Sequence, residues 1–330
     1  MKPTIPFDVV QEAREAESRI REHIRETPLE PSPFLSQLEN GFVQLKLENI
    51  QISGSFKLRG AVNKLLSLSD AAKNKGVITA SSGNHGMAVA YACQKFNIPG
   101  RIFLPEIASP PKVKALQDFG AEIELYGDDC VKAEILARET AKKEDKVYIP
   151  PYNDTKTIGG QATVAVELLK QSTEIDSVLV PVGGGGLIAG IAGYLKNIAP
   201  GVEVIGCQPI NSCVMLESLR AGRIIAMESK PTLSEGSAGG IEKDSVTFDF
   251  CRDYVDDFIL VSEDEIKEAI RLVFEKHSMI IEGAAALSVA SFIKQRERFT
   301  NKSAVLILSG ARLGAEALQD IFCRGGHNHD

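Results

Sequence analysis

The chain has 330 residues, a formal net charge of −7 and no basic run, which argues against nucleic acid as its main partner. Hydrophobic residues make up 44% and charged residues 25%, ordinary globular usage for a length that buries its core without staples. No segment approaches the roughly 18 apolar residues of a membrane span, and Met1–Pro6 carries no apolar leader, so a soluble protein without a membrane partner is expected.

In chain order, residues 8–25 set Val10, Ala13, Ala16 and Ile20 at helical spacing among charges, which predicts an amphipathic helix. Ser53–Ala61 opens a second helix that continues to Leu68. Val77–Ala80 predicts a strand before a helix over 85–96, and Arg101–Leu104 another before a helix near 110–119. Lys146-Val147-Tyr148 reads as a strand, and the Pro150-Pro151 pair after it as a domain boundary. Ser177–Val182 runs into a helix from 187, Val202–Gly206 follows, and Ala304–Leu308 comes near the end. Such alternation predicts an α/β fold of parallel-rich sheets flanked by helices. The tail Gly325–Asp330 reads as a frayed polar terminus rather than a metal site on His327 and His329.

The six cysteines, at 93, 130, 207, 213, 251 and 323, show neither Cys-x-x-Cys nor zinc-like spacing. They read as reduced thiols of a cytoplasmic protein, and no metal is expected.

Three segments carry chemistry. In Val180–Gly190 a buried strand enters four glycines, Gly183 to Gly186, and then a helix. Glycine N–H groups converging on a helix's positive end make a cradle for phosphate; the bland alternative is a tight turn without a ligand. No Gly-Lys-Ser/Thr follows, which excludes a Walker loop. Gly184-x-Gly186-x-x-Ala189 fits a nicotinamide fingerprint, but the acid that closes that motif is missing where the next strand runs into Cys207-Gln208-Pro209.

The second segment, Thr79–Gly86, also joins strand to helix. It offers backbone N–H groups and Ser81, Ser82 and Asn84 side chains to a carboxylate, though it also reads as a simple cap and turn. In the third, Lys57 sits in the first turn of its helix. Most helical lysines are solvated charges. A helix N-terminus disfavours a cation, however, and so favours the neutral amine that attacks a carbonyl carbon.

Together with Thr27-Pro28-Leu29, Gly159–Thr163 and Leu308-Ser309-Gly310, these segments resemble, in order and over almost the whole chain, the fold-type II pyridoxal-phosphate (PLP) enzymes. Within that class the chain is similar to the serine/threonine dehydratases and serine racemases. The resemblance implies a tryptophan synthase β-like architecture, with a small domain at 66–149 inserted in a large one formed by 1–65 and 150–330. It implies that Lys57 forms the Schiff base with PLP and that Phe56 packs on the ring. Asn84 would bond the ring's 3′ oxygen, Gly183, Gly184, Gly185 and Gly186 would hold the phosphate, and Ser309 would face the pyridine nitrogen. Ser81, Ser82, Gly83 and His85 would bind the substrate carboxylate, with Ser82 the second-face acid–base group of racemases.

The implied reaction is β-elimination from a 3-hydroxy L-amino acid, L-threonine or L-serine, giving a 2-oxo acid and ammonia. PLP would delocalise the carbanion and Lys57 would act as base. Serine racemase or 3-hydroxyaspartate ammonia-lyase activity on the same scaffold, and a nicotinamide oxidoreductase, are the competing readings. Relatives of this length imply a homodimer or homotetramer. Three departures stand out. Ala311-Arg312-Leu313 replaces the usual Gly-Asn, and Ser234–Gly240 replaces a shorter Asp-Gly turn. Gln208 and Val214 take the places of the Glu and Asp that hold a divalent cation in serine racemases.

Overall fold

The computed structural model describes residues 7–323, so Met1–Pro6 and the tail with His327 and His329 lie outside the described residues. Its elements, in order, are α1 (Val9–Ile20), β1 (Leu29–Pro31), α2 (Pro33–Leu38), β2 (Phe42–Lys46), α3 (Lys57–Leu66) and α4 (Asp70–Lys75). There follow β3 (Val77–Ala80), α5 (Asn84–Phe96), β4 (Gly100–Leu104), α6 (Pro110–Gln117), β5 (Glu122–Leu125), α7 (Cys130–Lys143) and β6 (Val147–Tyr148). Next come α8 (Thr155–Gln171), β7 (Ser177–Pro181), α9 (Gly186–Ile198), β8 (Glu203–Pro209), α10 (Val214–Ala221) and α11 (Val246–Tyr254). The last are β9 (Asp257–Val261), α12 (Glu263–His277), α13 (Gly283–Lys294), β10 (Ser303–Ile307) and α14 (Ala315–Cys323).

The strands form two sheets. One has the order β1-β2-β10-β7-β8-β9, parallel apart from β1, and the other the order β5-β4-β3-β6, parallel throughout. Every residue of β7 and of β10 is buried, as expected of parallel strands covered on both faces. On one face Ile158, Leu168, Ile188, Leu195 and Phe250 of α8, α9 and α11 pack against Val178, Val180 and Val305. On the other, Ile270, Val273, Leu287 and Phe292 of α12 and α13 pack against Leu45, Leu179 and Ile259. The expected α/β fold of parallel-rich sheets between helices is the observed one.

Among these helices α8 sets the geometry of the centre. It lies against α1, α3 and α9, two of which begin at chemistry-bearing residues. Where α3 crosses it, a Cβ on Gly160 would stand 2.6 Å from both the Arg59 carbonyl oxygen and the Gly60 Cα. The two backbones touch directly, which explains in physical terms why the Gly159–Thr163 segment accompanies the lysine segment.

Candidate active site

Lys57 is the first residue of α3, directly after Phe56 at the cap. Its amine donates to the carbonyl of Pro151 at 2.9 Å and stands 5.2 Å from the Phe56 ring centroid. Burial lowers its pKa to about 8, against the opposing pull of the Glu282 carboxylate. Phe56 itself is half-buried and packs against the core beside β7 and α9.

The segment before the lysine is stitched to the end of β10. Ser55 and Gly310 form an antiparallel bridge, the Phe56 N–H donates to the Ser309 carbonyl at 3.1 Å, and the Ala311 N–H to the Gly54 carbonyl at 3.0 Å. Ser309 thus lies beside the lysine loop, 1% exposed. Its hydroxyl, the Ser55 hydroxyl and the Asn84 side-chain oxygen are buried without a partner among the described residues. Buried polar atoms left unpaired are costly, and three around one lysine mark a place for a polar ligand.

Gly183–Gly186 form the turn from β7 into α9, with Gly185 at φ +86°, a conformation that glycine adopts without strain. The outer side of the loop is packed solid. A Cβ on Gly183 would lie 2.8 Å from the Ser237 Cα, on Gly184 2.5 Å from the Tyr152 ring, and on Gly186 2.8 Å from the Tyr152 Cβ. The Thr247 hydroxyl donates to the Gly184 carbonyl at 2.7 Å, and the Glu242 N–H to the Tyr152 hydroxyl at 3.0 Å. With its carbonyl held outward, the loop leaves N–H groups at the helix start for an anion. Tyr152 also follows Pro151 in the chain, so the cradle and the lysine amine are neighbours.

The Ser81–Gly86 loop opens α5. The Ser81 hydroxyl accepts from the Gly83 N–H at 3.2 Å, Ser82 and Gly83 are half-buried, and α5 begins at Asn84. First-turn N–H groups have no intrahelical acceptor, so the loop can bind a carboxylate through its backbone. The His85 ring is buried and anchored through one nitrogen, its Nε2–H donating to the Ile149 carbonyl at 2.9 Å. Burial, then the Lys57 charge, drives its pKa down to about 3, so it is neutral. Any contact of the His85 ring with a substrate is therefore left to Nδ1 of a neutral imidazole.

Two features escape local sequence reading. The first is Glu282, whose oxygens accept from Asn84 Nδ2 at 2.9 and 2.8 Å. The only trace is a lone acid between the apolar Met279–Ile281 and the small-residue run Gly283–Ala286. The second is a buried ionic cluster on the same helix as the lysine. Arg59 donates to Glu48 (2.7 and 2.8 Å), to Glu167 (2.7 and 2.8 Å) and to Thr163, while Lys46 donates to Glu167 and Gln171. Burial opposes ionisation of Glu167, but Arg59 and Lys46 outweigh it and hold the carboxyl below its usual range.

The 223–245 segment, regular only at Glu235–Ser237, spans from the glycine loop to the smaller sheet's helices. Glu242 pairs with Arg138 of α7 at 2.8 Å and accepts from Asn153 at 2.9 Å; Glu235 pairs with Lys112 of α6 at 3.4 Å.

A phosphate cradle, a lysine with a lowered pKa and unpaired buried oxygens fit PLP. They do not fit a dinucleotide: Gln208, at the end of β8, is buried and tied to Val182 and Leu216. A family model described as "Pyridoxal-phosphate dependent enzyme" matches residues 20–310, and the chain belongs to that family. Within it, the chain is a fold-type II member of the group that holds the threonine dehydratases and serine racemases. It is 38% identical to the L-threonine dehydratase catabolic TdcB of Escherichia coli K12, over 93% of this chain and 94% of that one. It is 36% identical to the L-threonine ammonia-lyase of Thermotoga maritima, over 96% of this chain and 78% of that one. Among solved structures it is similar to the processed form of threonine deaminase isoform 2 from Solanum lycopersicum. There the TM-score is 0.92 and the identity 34%, over 99% of this chain and 96% of that one. Maize serine racemase gives a TM-score of 0.88 at 32% identity, over 94% and 95% of the two chains.

Proposed function

We propose that the chain is a PLP-dependent ammonia-lyase that dehydrates 3-hydroxy L-amino acids, L-threonine and L-serine, to a 2-oxo acid and ammonia. The observation that carries this is the Lys57 amine, at the start of α3 with its pKa lowered to about 8, next to both a phosphate cradle and the α5 N-terminus. When bound, PLP supplies the electron sink that makes loss of the substrate's Cα proton possible.

The rest falls to the chain. The N–H groups of Gly183–Gly186 bind the phosphate, and the Ser309 hydroxyl and the Asn84 amide meet the ring's polar edge. The α5 start, with Ser81, Ser82 and Gly83, binds the substrate carboxylate. A Lys57 amine of pKa near 8 is partly neutral around neutral pH, so its Nζ takes the Cα proton.

The two sheets support a division into a small domain, 66–149, and a large one, 1–65 with 150–330: β3 to β6 all lie in the first stretch and the other strands outside it. Six free cysteines support a reducing compartment, the cytoplasm, and no described helix is long and apolar enough to cross a membrane. A homodimer or homotetramer is the expected assembly, measurable by light scattering.

The test is a screen of L-threonine, L-serine, 3-hydroxyaspartate and L-alanine with PLP-loaded protein. The expected result is 2-oxo acid and ammonia in equal amounts from the hydroxy amino acids only. Release from none of them would overturn the assignment.

A further inference from the structure

Glu282 occupies the cap position of α13, where a carboxylate could bond the helix's own N–H groups, yet its side chain caps nothing. It reaches instead into the site. Besides the two contacts from Asn84 Nδ2, its Oε2 accepts the Arg312 N–H at 3.2 Å. Gly310 closes on it so tightly that a Cβ there would lie 2.5 Å from Oε1. The residue is 7% exposed and none of its contacts is an ion pair. Keeping an anion in such a place is unfavourable, and a glutamine would form the Asn84 hydrogen bond without that cost.

We propose that Glu282 is a positioning residue whose ionised carboxylate fixes the orientation of the Asn84 amide and places its charge in the same site as the Lys57 amine. A carboxylate only accepts, so Asn84 must turn its nitrogen toward it. One N–H is shared between the two oxygens, and the second is left to the site beside the unpartnered Oδ1. An acceptor oxygen on the ligand therefore meets a fixed donor. With an amide at 282, which both donates and accepts, either face of Asn84 would be satisfied and the donor would no longer be fixed.

The inference rests on the reading of this site as the PLP centre. The charged and titratable groups around Glu282 are few. Burial pushes the Glu282 pKa up, against the hydrogen bonds from Asn84 and the Arg312 N–H and the charges of Arg312, after β10, and Lys57 of α3. His85 of α5 is held neutral, and Glu235, next to Gly236, is engaged by Lys112.

The experiment compares Glu282→Gln, Glu282→Asp and the double variant Asn84→Asp with Glu282→Gln against wild type. Site-specific amine labelling of Lys57 in cofactor-free protein gives its titration midpoint. The visible band of PLP-loaded protein is titrated in parallel, and kcat, KM and thermal melting are measured. Glu282→Gln should lower the Lys57 midpoint by roughly half a unit or more. It should also move the visible-band titration and reduce kcat about tenfold or more, with KM little changed. Glu282→Asp keeps the charge but withdraws its oxygens from Asn84, so the Lys57 midpoint should stay near wild type while kcat falls.

The double variant restores a donor–acceptor pair with the roles reversed. It should recover melting temperature but neither kcat nor the wild-type spectrum, because the donor toward the ligand is gone. Recovery of kcat and spectrum would show that Glu282 merely ties two segments together, and would overturn the proposal. So would a Glu282→Gln protein with wild-type midpoint, band and kcat. Failure of the PLP reading itself would show differently, as wild-type protein whose Lys57 takes up no cofactor.

Discussion

The backbone N–H of Phe56 donates to the carbonyl of Ser309 at 3.1 Å, so the main chain before the lysine is tied to the residue after β10 that carries the unpaired hydroxyl. With the Ser55–Gly310 bridge and the bond from the Ala311 N–H to Gly54, this link holds the lysine loop against the end of β10.

Lys57→Ala should abolish the visible absorption of PLP-loaded protein and all turnover while leaving far-UV circular dichroism intact, since the methylene stem is half-buried and the crossing of α3 does not depend on it. In cofactor-free wild type the amine should become reactive toward acylating reagents as the pH rises through about 8. That lies below the ordinary lysine range, because burial disfavours the cation. A midpoint near 10.5, the ordinary value, would contradict it.

Ser309→Asp replaces a neutral, unpartnered hydroxyl with an anion. We expect it to favour a protonated ring nitrogen in the bound cofactor, a stronger electron sink and slower elimination relative to transamination. Product analysis that separates 2-oxo acid release from conversion of PLP to its aminated form reads the partition directly. An unchanged partition means that Ser309 does not face the nitrogen.

Ser82 should support slow racemisation beside dehydration. Incubating L-serine in heavy water should yield deuterated D-serine with wild type and none with Ser82→Ala, while dehydration persists. Absence of the deuterated enantiomer from wild type would remove Ser82 from that role.

Exhaustive chelation should leave activity and melting temperature unchanged, and Mg²⁺ or Ca²⁺ should add nothing. Hard cations favour carboxylate oxygens. Gln208 and Val214, where the resemblance to serine racemases implies cation-binding carboxylates, are both buried, and both polar atoms of Gln208 are engaged internally, with Val182 and Leu216. A several-fold loss of activity restored by either ion would refute this.

Glu167→Gln should destabilise the protein by about 3–5 kcal/mol, because it leaves Arg59 and Lys46 under-compensated in the interior. A thermal melt at neutral pH checks it. The sign with pH follows from the lowered pKa of Glu167. Its ionic contribution is present above the ordinary carboxylate pKa and is lost as the pH falls through the lowered value. The gap in stability between wild type and variant should therefore narrow in acid.

The sequence made some of this legible and hid the rest for physical reasons. Glycine runs and a lysine at a helix start announce themselves locally, and the strands before them are unbroken apolar runs. β2 is not legible locally because Gln44 and Lys46 look like solvent positions, although both are buried, Lys46 within the ionic cluster. The helix Gly283–Lys294 is buried along most of its length and so lacks the polar stripe that marks a surface helix. Glu282 and Arg59 owe their roles to partners far away in the chain, which no spacing rule reports. The helix at 8–25 ends as an α-helix at Ile20, continuing as a short 3-10 turn at Arg21–His23.

The bare contact of Gly60 with Gly160 bears on the rate of reaction, although neither residue carries a reactive atom. The depth of the lysine beneath its neighbours is set by how closely two backbones approach, and hydrogen is the smallest spacer available. A single methyl group there would act as a shim under α3. Since a displacement of about 1 Å at a reacting group can slow an enzyme about 10²-fold, the working tolerance of this catalyst is written in a pair of residues that are defined by lacking side chains.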